Sequence, residues 1–326
     1  MTPSAGTPEL TCSRWSVDLG EPLAGTASTT RGYLVIEHSG PWGRNALSDS
    51  RLGHDVAATL DAQLSRLGLS PLLMRRPGRS RDREHRTGRQ VFASVLEPTP
   101  VTVAFRVAGA AELLELDWTA AGSESIERIH PDAVGVTHPL ALICAHAKRD
   151  RCCAALGRPL ATYLHQQLAA ENLAAATGYE PVWECSHLGG HRLAPTAVML
   201  PAGVVYGRLD PLSLSAAYDA ARSQAVLPPL MRGMARYRRA VQAAEIAVRE
   251  EAGIDQVAFP RLISSRRDGQ CTLAVFADEQ QQRWQVRVSE QPVRVPRPES
   301  CGKAPASPTV CTVEAISRLP TTRIEI

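Results

Sequence analysis

The sequence predicts an α/β protein with a small α+β part at its C-terminal end. Three observations support this fold class. Short apolar runs alternate with segments of helical period between residues 31 and 135, and the same order of elements returns between residues 136 and 228. After residue 229, an amphipathic helical segment precedes alternating apolar runs that flank Asp268-Gly269, a strong signal for a β-hairpin.

The first unit contains segments in the order strand, helix, strand, hairpin and helix. Gly68 ends the first helical pattern, because glycine readily adopts the left-handed conformation that closes a helix. A charged loop follows the second strand, at residues 76–89. The predicted elements are a strand at 33–37, a helix over 56–67, a strand at 71–75, a hairpin over 91–107 and a helix over 111–121.

The second unit repeats this order. Arg158-Pro159 is expected to open its first helix, since proline in the first turn loses no helical hydrogen bond. The other predicted elements are strands at 140–144 and 182–185, a hairpin over 197–209 and a helix over 211–225. This succession is typical of the thioredoxin-like core, although a loop takes the place of the helix that normally precedes the hairpin. The sequence leaves open whether the first unit is a second, diverged thioredoxin-like unit, because no residue-level repeat accompanies the shared order.

Composition and the domain pattern together indicate an intracellular globular protein. The predicted parts are a tail over 1–30, an N-terminal α/β domain over 31–135, a thioredoxin-like domain over 136–228 and an α+β region over 229–326.

The net charge of +3 is too small to indicate nucleic acid binding. The first residues lack the pattern of a secretory signal, and no apolar run is long enough to span a membrane. We therefore expect a cytoplasmic location, where thiols stay reduced, and neither a membrane nor a nucleic acid partner.

Cysteines and histidines follow two predicted strands of the second unit. Cys144 ends the first strand, and Cys153 lies near the start of the next helix. His187 and His191 follow the other strand, and Gly189-Gly190 between them argues against a helix. Strand ends in an open α/β sheet meet at one edge, so these side chains should reach the same corner. Two thiolates and two imidazoles suit either a structural zinc ion or an iron–sulfur cluster.

Two segments of this unit resemble the sucrase/ferredoxin-like family, a group related to thioredoxin-like [2Fe–2S] ferredoxins. They are ICAHAKRDRCC, which begins at Ile143, and WECSHLGGHRLAPTAVMLPAGVVYGRL, which begins at Trp183. The segments GEPLAGTA and HSGPWGRNAL resemble the N-terminal part of the family, and QAAEIAVREEAG and PESCGKA resemble C-terminal features of its bacterial members. The resemblance therefore extends over most of the chain.

The resemblance implies one [2Fe–2S] cluster in a thioredoxin-like ferredoxin domain. In this branch of the family two histidines replace the last pair of cysteine ligands. Carried over by position, the ligands are Cys144, Cys153, His187 and His191, with Cys152 as the alternative to Cys153. The implied function is an electron carrier or redox protein that works with a partner protein. A hydrolase is not indicated, because the sequence contains no recognisable pair of glycosidase carboxylates.

Several alternatives stay open at this stage. A structural zinc ion could use the same four ligands, which would make the protein non-redox. A Rieske-like grouping would use Cys144-x-His146 with Cys185-x-His187, and a dithiol would use the vicinal pair Cys152-Cys153. In a further alternative, an enzymatic reductase activity belongs to a partner domain. The remaining cysteines are expected to be plain structural thiols, namely Cys12, Cys271, Cys301 and Cys311.

Overall fold

A ten-stranded mixed β-sheet forms the centre of the molecule. A computed structural model describes residues 11–78, 88–122 and 124–320. The strands of the large sheet are β1 (Gly32–Glu37), β2 (Leu69–Arg75), β3 (Arg89–Val95), β4 (Val101–Val107), β5 (Val134–Gly135), β6 (Leu140–Cys144), β7 (Val182–Cys185), β8 (Ala197–Leu200), β9 (Val204–Tyr206) and β10 (Met231–Met234). The α-helices of the described residues are α1 (Cys12–Asp18), α2 (His54–Leu67), α3 (Arg151–Leu168), α4 (Leu173–Thr177), α5 (Pro211–Arg222) and α6 (Arg239–Ala252).

The two halves of the large sheet share one strand order, in agreement with the repeated order of elements in the sequence. The strands lie in the order β10-β9-β8-β6-β7-β2-β1-β3-β4-β5. In the first half β1 pairs with β2 in parallel and with β3 antiparallel. In the second half β6 pairs with β7 in parallel and with β8 antiparallel. The halves join where β2 pairs antiparallel with β7, through Met74 opposite Cys185 and Arg75 opposite Glu184.

The central strand of the second half is buried on both faces, which explains its unbroken apolar sequence. Ala141 and Ile143 contact the apolar face of α3, on which Leu164 lies. Leu142 and Cys144 point to the opposite face, into a core that also contains residues of the first half. Successive residues of a strand face opposite sides, so every position of β6 meets apolar atoms and none needs a polar side chain.

The first helix of the second unit begins earlier than predicted. The prediction placed its start at Arg158-Pro159, but α3 begins at Arg151, and Pro159 lies inside it. Asp150 explains the earlier start, because its carboxylate accepts a hydrogen bond from the backbone N–H of Cys152 at 2.8 Å and so caps the helix. As a result, Cys152 and Cys153 both lie in the first turn of α3.

Two other predictions of local structure were wrong. The helix expected over 111–121 is replaced by the short 3₁₀ segments Ala111–Leu114 and Trp118–Ala120. The carboxylate of Asp117 accepts the N–H of Thr119 and starts a new turn there, so no continuous helix forms. Within the expected tail, residues 12–18 form α1, which Thr11 caps. The first ten residues of that tail and most of the charged loop at 76–89 lie outside the described residues.

The C-terminal part forms a second, antiparallel sheet packed on α6. Its strands are β11 (Arg261–Asp268), β12 (Cys271–Ala277), β13 (Arg283–Pro292) and β14 (Thr309–Arg318). The predicted hairpin at Asp268-Gly269 is confirmed by the pairing of Asp268 with Cys271. β14 escaped prediction because most of its residues are exposed and give no clear alternation. None of the helices in the described ranges is long and apolar enough to cross a membrane.

Candidate metal centre

The candidate ligands lie at one edge of the large sheet, where two parallel strands end. Cys144 is the last residue of β6, and its register partner Cys185 is the last residue of β7. The loop 145–150 leads from β6 into α3, and the loop 186–190 follows β7. Helix α3 lies close to the end of β6. A Cβ at Gly157 would lie 2.0 Å from the carbonyl oxygen of Cys144, so only glycine, which has no Cβ, permits this close approach.

Cys144, Cys153 and His187 form a close group at this edge. One possible ligand atom from each lies within 4.8 Å of the others. Both thiols are 1% exposed, whereas the imidazole of His187 is half-buried. A hydrogen bond from the Cys153 thiol, supported by His187 and by the N–H of Leu188, holds the pKa of Cys144 well below its ordinary value. The same pairing and burial raise the pKa of Cys153. The pair therefore favours one thiolate, which is the form of cysteine that binds metals.

The fourth predicted ligand lies beside this group. The ring of His191 stacks on that of His187, with centroids 4.9 Å apart and an interplanar angle of 30°. Burial and the neighbouring His187 lower the pKa of His191 to about 4, so the imidazole is neutral at pH 7. The Nδ1 atoms of both rings are buried and have no hydrogen-bond partner within the described part of the chain. A neutral imidazole with an unsatisfied ring nitrogen is the form in which histidine binds a metal. His191 itself lies outside the 4.8 Å group.

A buried arginine holds the loop that carries the histidines. Arg232 is fully buried on β10 and donates hydrogen bonds to the carbonyl oxygen of Gly189 at 2.9 Å and to Oγ1 of Thr26 at 3.1 Å. Desolvation lowers the pKa of Arg232 to about 10, so it keeps its charge at pH 7. Gly190 has a positive φ of 66°, and a Cβ there would lie 2.4 Å from Nη2 of Arg232. No sequence pattern predicts this contact, because Arg232 lies more than forty residues from the loop.

We expect the Gly190→Ala substitution to destabilise this loop strongly. Alanine in the left-handed conformation costs about 1–2 kcal/mol, and the clash with Arg232 adds about 1–3 kcal/mol of overpacking. Gly178→Ala is the matched control, because Gly178 also has a positive φ, of 79°, but nothing lies within 4 Å of its added Cβ. Urea unfolding of both variants measures the difference. Equal losses of stability would show that Arg232 does not press on the loop.

Of the four residues of the Rieske-like alternative, only Cys144 and His187 belong to the close group. Nε2 of His146 lies 2.7 Å from the carbonyl oxygen of Gly43 and donates a hydrogen bond to it, and its Nδ1 has no partner among the described residues. Its ring also meets Trp42 edge-on, with centroids 5.8 Å apart. Cys185 is fully buried, and desolvation raises its pKa well above the ordinary value. Neither His146 nor Cys185 belongs to the group that contains Cys144.

The two vicinal cysteines point to different places. Cys153 faces Cys144, as described above. Cys152 belongs to a second group with Cys12, Asp150 and Cys301. The prediction treated Cys12 and Cys301 as unrelated structural thiols, yet the fold brings them to one point. No spacing rule could have paired them, because 289 residues separate the two.

A buried ion-pair network ties the histidine loop to both ends of the described chain. The carboxylate of Glu21 is fully buried and accepts hydrogen bonds from Arg192 at 2.8 Å and from Arg297 at 2.8 Å. Ser16 donates a further hydrogen bond to it at 3.0 Å. Burial alone would raise the pKa of Glu21, but the two guanidinium groups outweigh it, and the pKa is lowered. Because Arg192 follows His191 directly, this network positions the loop.

Comparison with known proteins identifies the family. Residues 23–233 match the sucrase/ferredoxin-like family. The chain belongs to this family. The match to the sucrase/ferredoxin-like family begins before β1 and ends within β10, so it includes both halves of the large sheet and the group around Cys144. It leaves Cys12 and Cys301 outside. No curated protein and no solved structure matched the chain.

Proposed function

We propose that this protein holds one [2Fe–2S] cluster on Cys144, Cys153, His187 and His191 and transfers single electrons. The observation that carries the proposal is the meeting of two buried thiols with two stacked imidazoles whose Nδ1 atoms have no hydrogen-bond partner among the described residues. Such a cluster takes up and releases one electron without exchanging atoms with a substrate. The chain supplies the thiolate at Cys144, the neutral imidazole of His191, the imidazole of His187 and a buried environment around the two sulfur atoms.

The strand order supports the interpretation that both units have a thioredoxin-like fold. In each half of the large sheet, the first strand lies between the second strand and an antiparallel third strand. We propose that both units are thioredoxin-like and that the second is a ferredoxin domain. The loop with His187 and His191 occupies the place of a helix in that core. It is irregular apart from one short 3₁₀ segment, His191–Leu193. This loop would provide the ligands for one of the two irons.

A structural zinc ion in the same site is the second candidate. Bond lengths of 2.0–2.3 Å place all ligand atoms of a tetrahedral zinc within about 3.8 Å of one another. His191 lies outside the 4.8 Å group formed by Cys144, Cys153 and His187. The four possible ligand atoms are therefore spread more widely than a single ion requires. This spread favours a binuclear cluster, in which each iron takes two of the four ligands. The direction of the Cys152 side chain supports Cys153 as the second thiolate.

The histidine side of the centre is the natural place for a redox partner. His187 and His191 are half-buried, whereas the two thiols are almost completely covered. Arg44 and Arg149 line a cavity that reaches His187, and exposed Lys148 lines the neighbouring cavity. A cationic rim of this kind steers an acidic partner to the site and makes association sensitive to salt. We therefore propose a partner protein with an acidic docking surface.

All eight cysteines are free thiols, which supports a cytoplasmic location.

Elemental analysis tests the proposed cluster. We expect protein purified without oxygen to be reddish-brown and to contain iron and acid-labile sulfide in equal amounts. The amounts should correspond to one cluster per chain. Cys271→Ser is a suitable control variant, because Cys271 lies on the C-terminal sheet and belongs to neither cysteine group. A chain that takes up no iron and sulfide after anaerobic reconstitution, and holds zinc on Cys144, would contradict the proposal.

A further inference from the structure

A second group of possible metal ligands lies next to the proposed cluster site and has no part in it. The Sγ atoms of Cys12, Cys152 and Cys301 form a triangle with sides of 3.6, 3.3 and 3.5 Å. The carboxylate oxygens of Asp150 lie 3.7 and 3.8 Å from Sγ of Cys12. Three thiols from α1, α3 and the segment before β14 therefore meet one carboxylate.

These distances fit a single tetrahedral ion. With zinc–sulfur bonds of about 2.3 Å and zinc–oxygen bonds of about 2.1 Å, tetrahedral geometry places sulfur atoms about 3.8 Å apart and sulfur and oxygen about 3.6 Å apart. The observed triangle is slightly smaller, as expected for thiols in direct contact. An iron–sulfur cluster spreads its cysteine ligands over several irons and does not fit so small a triangle. We propose that Cys12, Cys152, Cys301 and Asp150 bind one Zn²⁺ ion.

The surroundings of the group hold its ligands in place. Asp150 accepts the N–H groups of Cys152 and Cys301 at 2.8 Å each, and the hydroxyl of Ser300 at 2.8 Å. Ser13 donates a hydrogen bond to Sγ of Cys152 at 3.3 Å. Outer hydrogen bonds of this kind orient the ligands of structural metal sites. The N-terminus of the 18-residue helix α3 adds a favourable field for anionic ligands.

Burial distinguishes these thiols from reactive surface cysteines. Cys12 and Cys152 are 1% and 2% exposed, and Cys301 is half-buried. Four ligands with no open position are typical of structural zinc rather than catalytic zinc. The ion would join α1 and the segment at Cys301 to the first turn of α3, directly beside Cys153. Its role would be to fix α1 and the segment before β14 against the proposed cluster-binding unit.

Zinc analysis of ligand variants tests this site. We expect the wild-type chain to contain about one zinc per chain, and the Cys12→Ser and Cys301→Ser variants to lose it. Cys311→Ser is the matched control, because Cys311 is a buried thiol on β14 outside both groups and should keep the zinc. Cys144→Ser separates the two proposals, since it should lose iron and keep zinc.

A second measurement does not depend on the folding of the variants. The wild-type chain is stripped with a chelator, divided, and treated with iodoacetamide with or without added ZnCl₂. We expect zinc to protect Cys12, Cys152 and Cys301 from alkylation, as measured by mass spectrometry of their peptides. Three results would overturn the proposal. They are no zinc uptake at all, zinc that is lost on Cys144→Ser but kept on Cys301→Ser, and a disulfide between two of the three thiols in anaerobically purified protein.

Discussion

Substitution of His191 by alanine is expected to abolish the visible absorption of the reconstituted protein. The same result is expected for His187→Ala, because each imidazole would hold the same iron and one alone leaves that iron incompletely bound. Cys144→Ser and Cys153→Ser should also remove the colour, since serine is a poor ligand for iron at neutral pH. The measurement is the visible spectrum together with iron and sulfide content after identical anaerobic reconstitution.

His146→Ala and Cys185→Ser are the matched controls for these substitutions. They remove a histidine and a cysteine, the residue types of the proposed ligands. His146 lies two positions from Cys144 and Cys185 two positions from His187, but neither belongs to the close group. His146 instead bonds to the carbonyl oxygen of Gly43, and Cys185 lies in the core. We expect both variants to keep the visible spectrum. The reverse pattern, with colour lost in the controls and kept in His191→Ala, would favour the Rieske-like grouping.

The Glu21→Gln substitution should cost about 3–5 kcal/mol of unfolding free energy at pH 7, the usual effect of breaking a buried ion pair. Glutamine keeps the shape of the side chain but leaves Arg297 buried without its counter-charge, and Arg192 keeps only the half-exposed Glu299 at 3.8 Å. Glu171→Gln is the control, because Glu171 pairs with Arg222 at the surface, where the side chains are 35% and 37% exposed. That substitution should cost no more than about 1 kcal/mol. Urea unfolding of the three proteins measures the difference.

The pH dependence of stability gives an independent check on Glu21. Its pKa is lower in the folded chain than the ordinary value of 4.5. The ion pair therefore contributes its full stability above that ordinary value and loses it as the pH falls through the folded pKa. In acid the wild-type chain should lose this contribution, whereas the Glu21→Gln variant has none to lose. The difference in unfolding free energy between the two proteins should therefore become smaller below about pH 4. A difference in unfolding free energy that stays constant down to pH 3 would show that folding does not lower the pKa of Glu21.

Local sequence patterns predicted the two strands that carry the candidate site, but not the start of the helix beside them. Residues 140–144 and 182–185 were predicted with the observed bounds, because buried strands between loop-forming residues give a clear signal. The start of α3 was placed too late, since Pro159 gave a stronger signal than the cap at Asp150. The order of elements also indicated the shared strand order of the two halves, although no residue-level repeat is visible.

The contacts that hold the site in place could not be read from sequence spacing. Arg232 reaches the loop of Gly189 only because β10 pairs with β9 at the edge of the sheet. Cys12 and Cys301 meet only because α1 and the segment before β14 both return to the start of α3. Such contacts depend on the path of the chain in three dimensions. Residue type and periodicity carry no information about that path.

The pairing of β2 with β7 means that the second unit cannot be excised along the boundaries that the sequence suggests. A fragment of residues 136–228 would expose the backbone of β7 where Met74 and Arg75 now cover it, and an uncovered edge strand invites self-association. The same cut removes β10, and with it the arginine beneath the histidine loop. In this chain the N-terminal unit covers that edge, so the second unit depends on the first for a protected sheet.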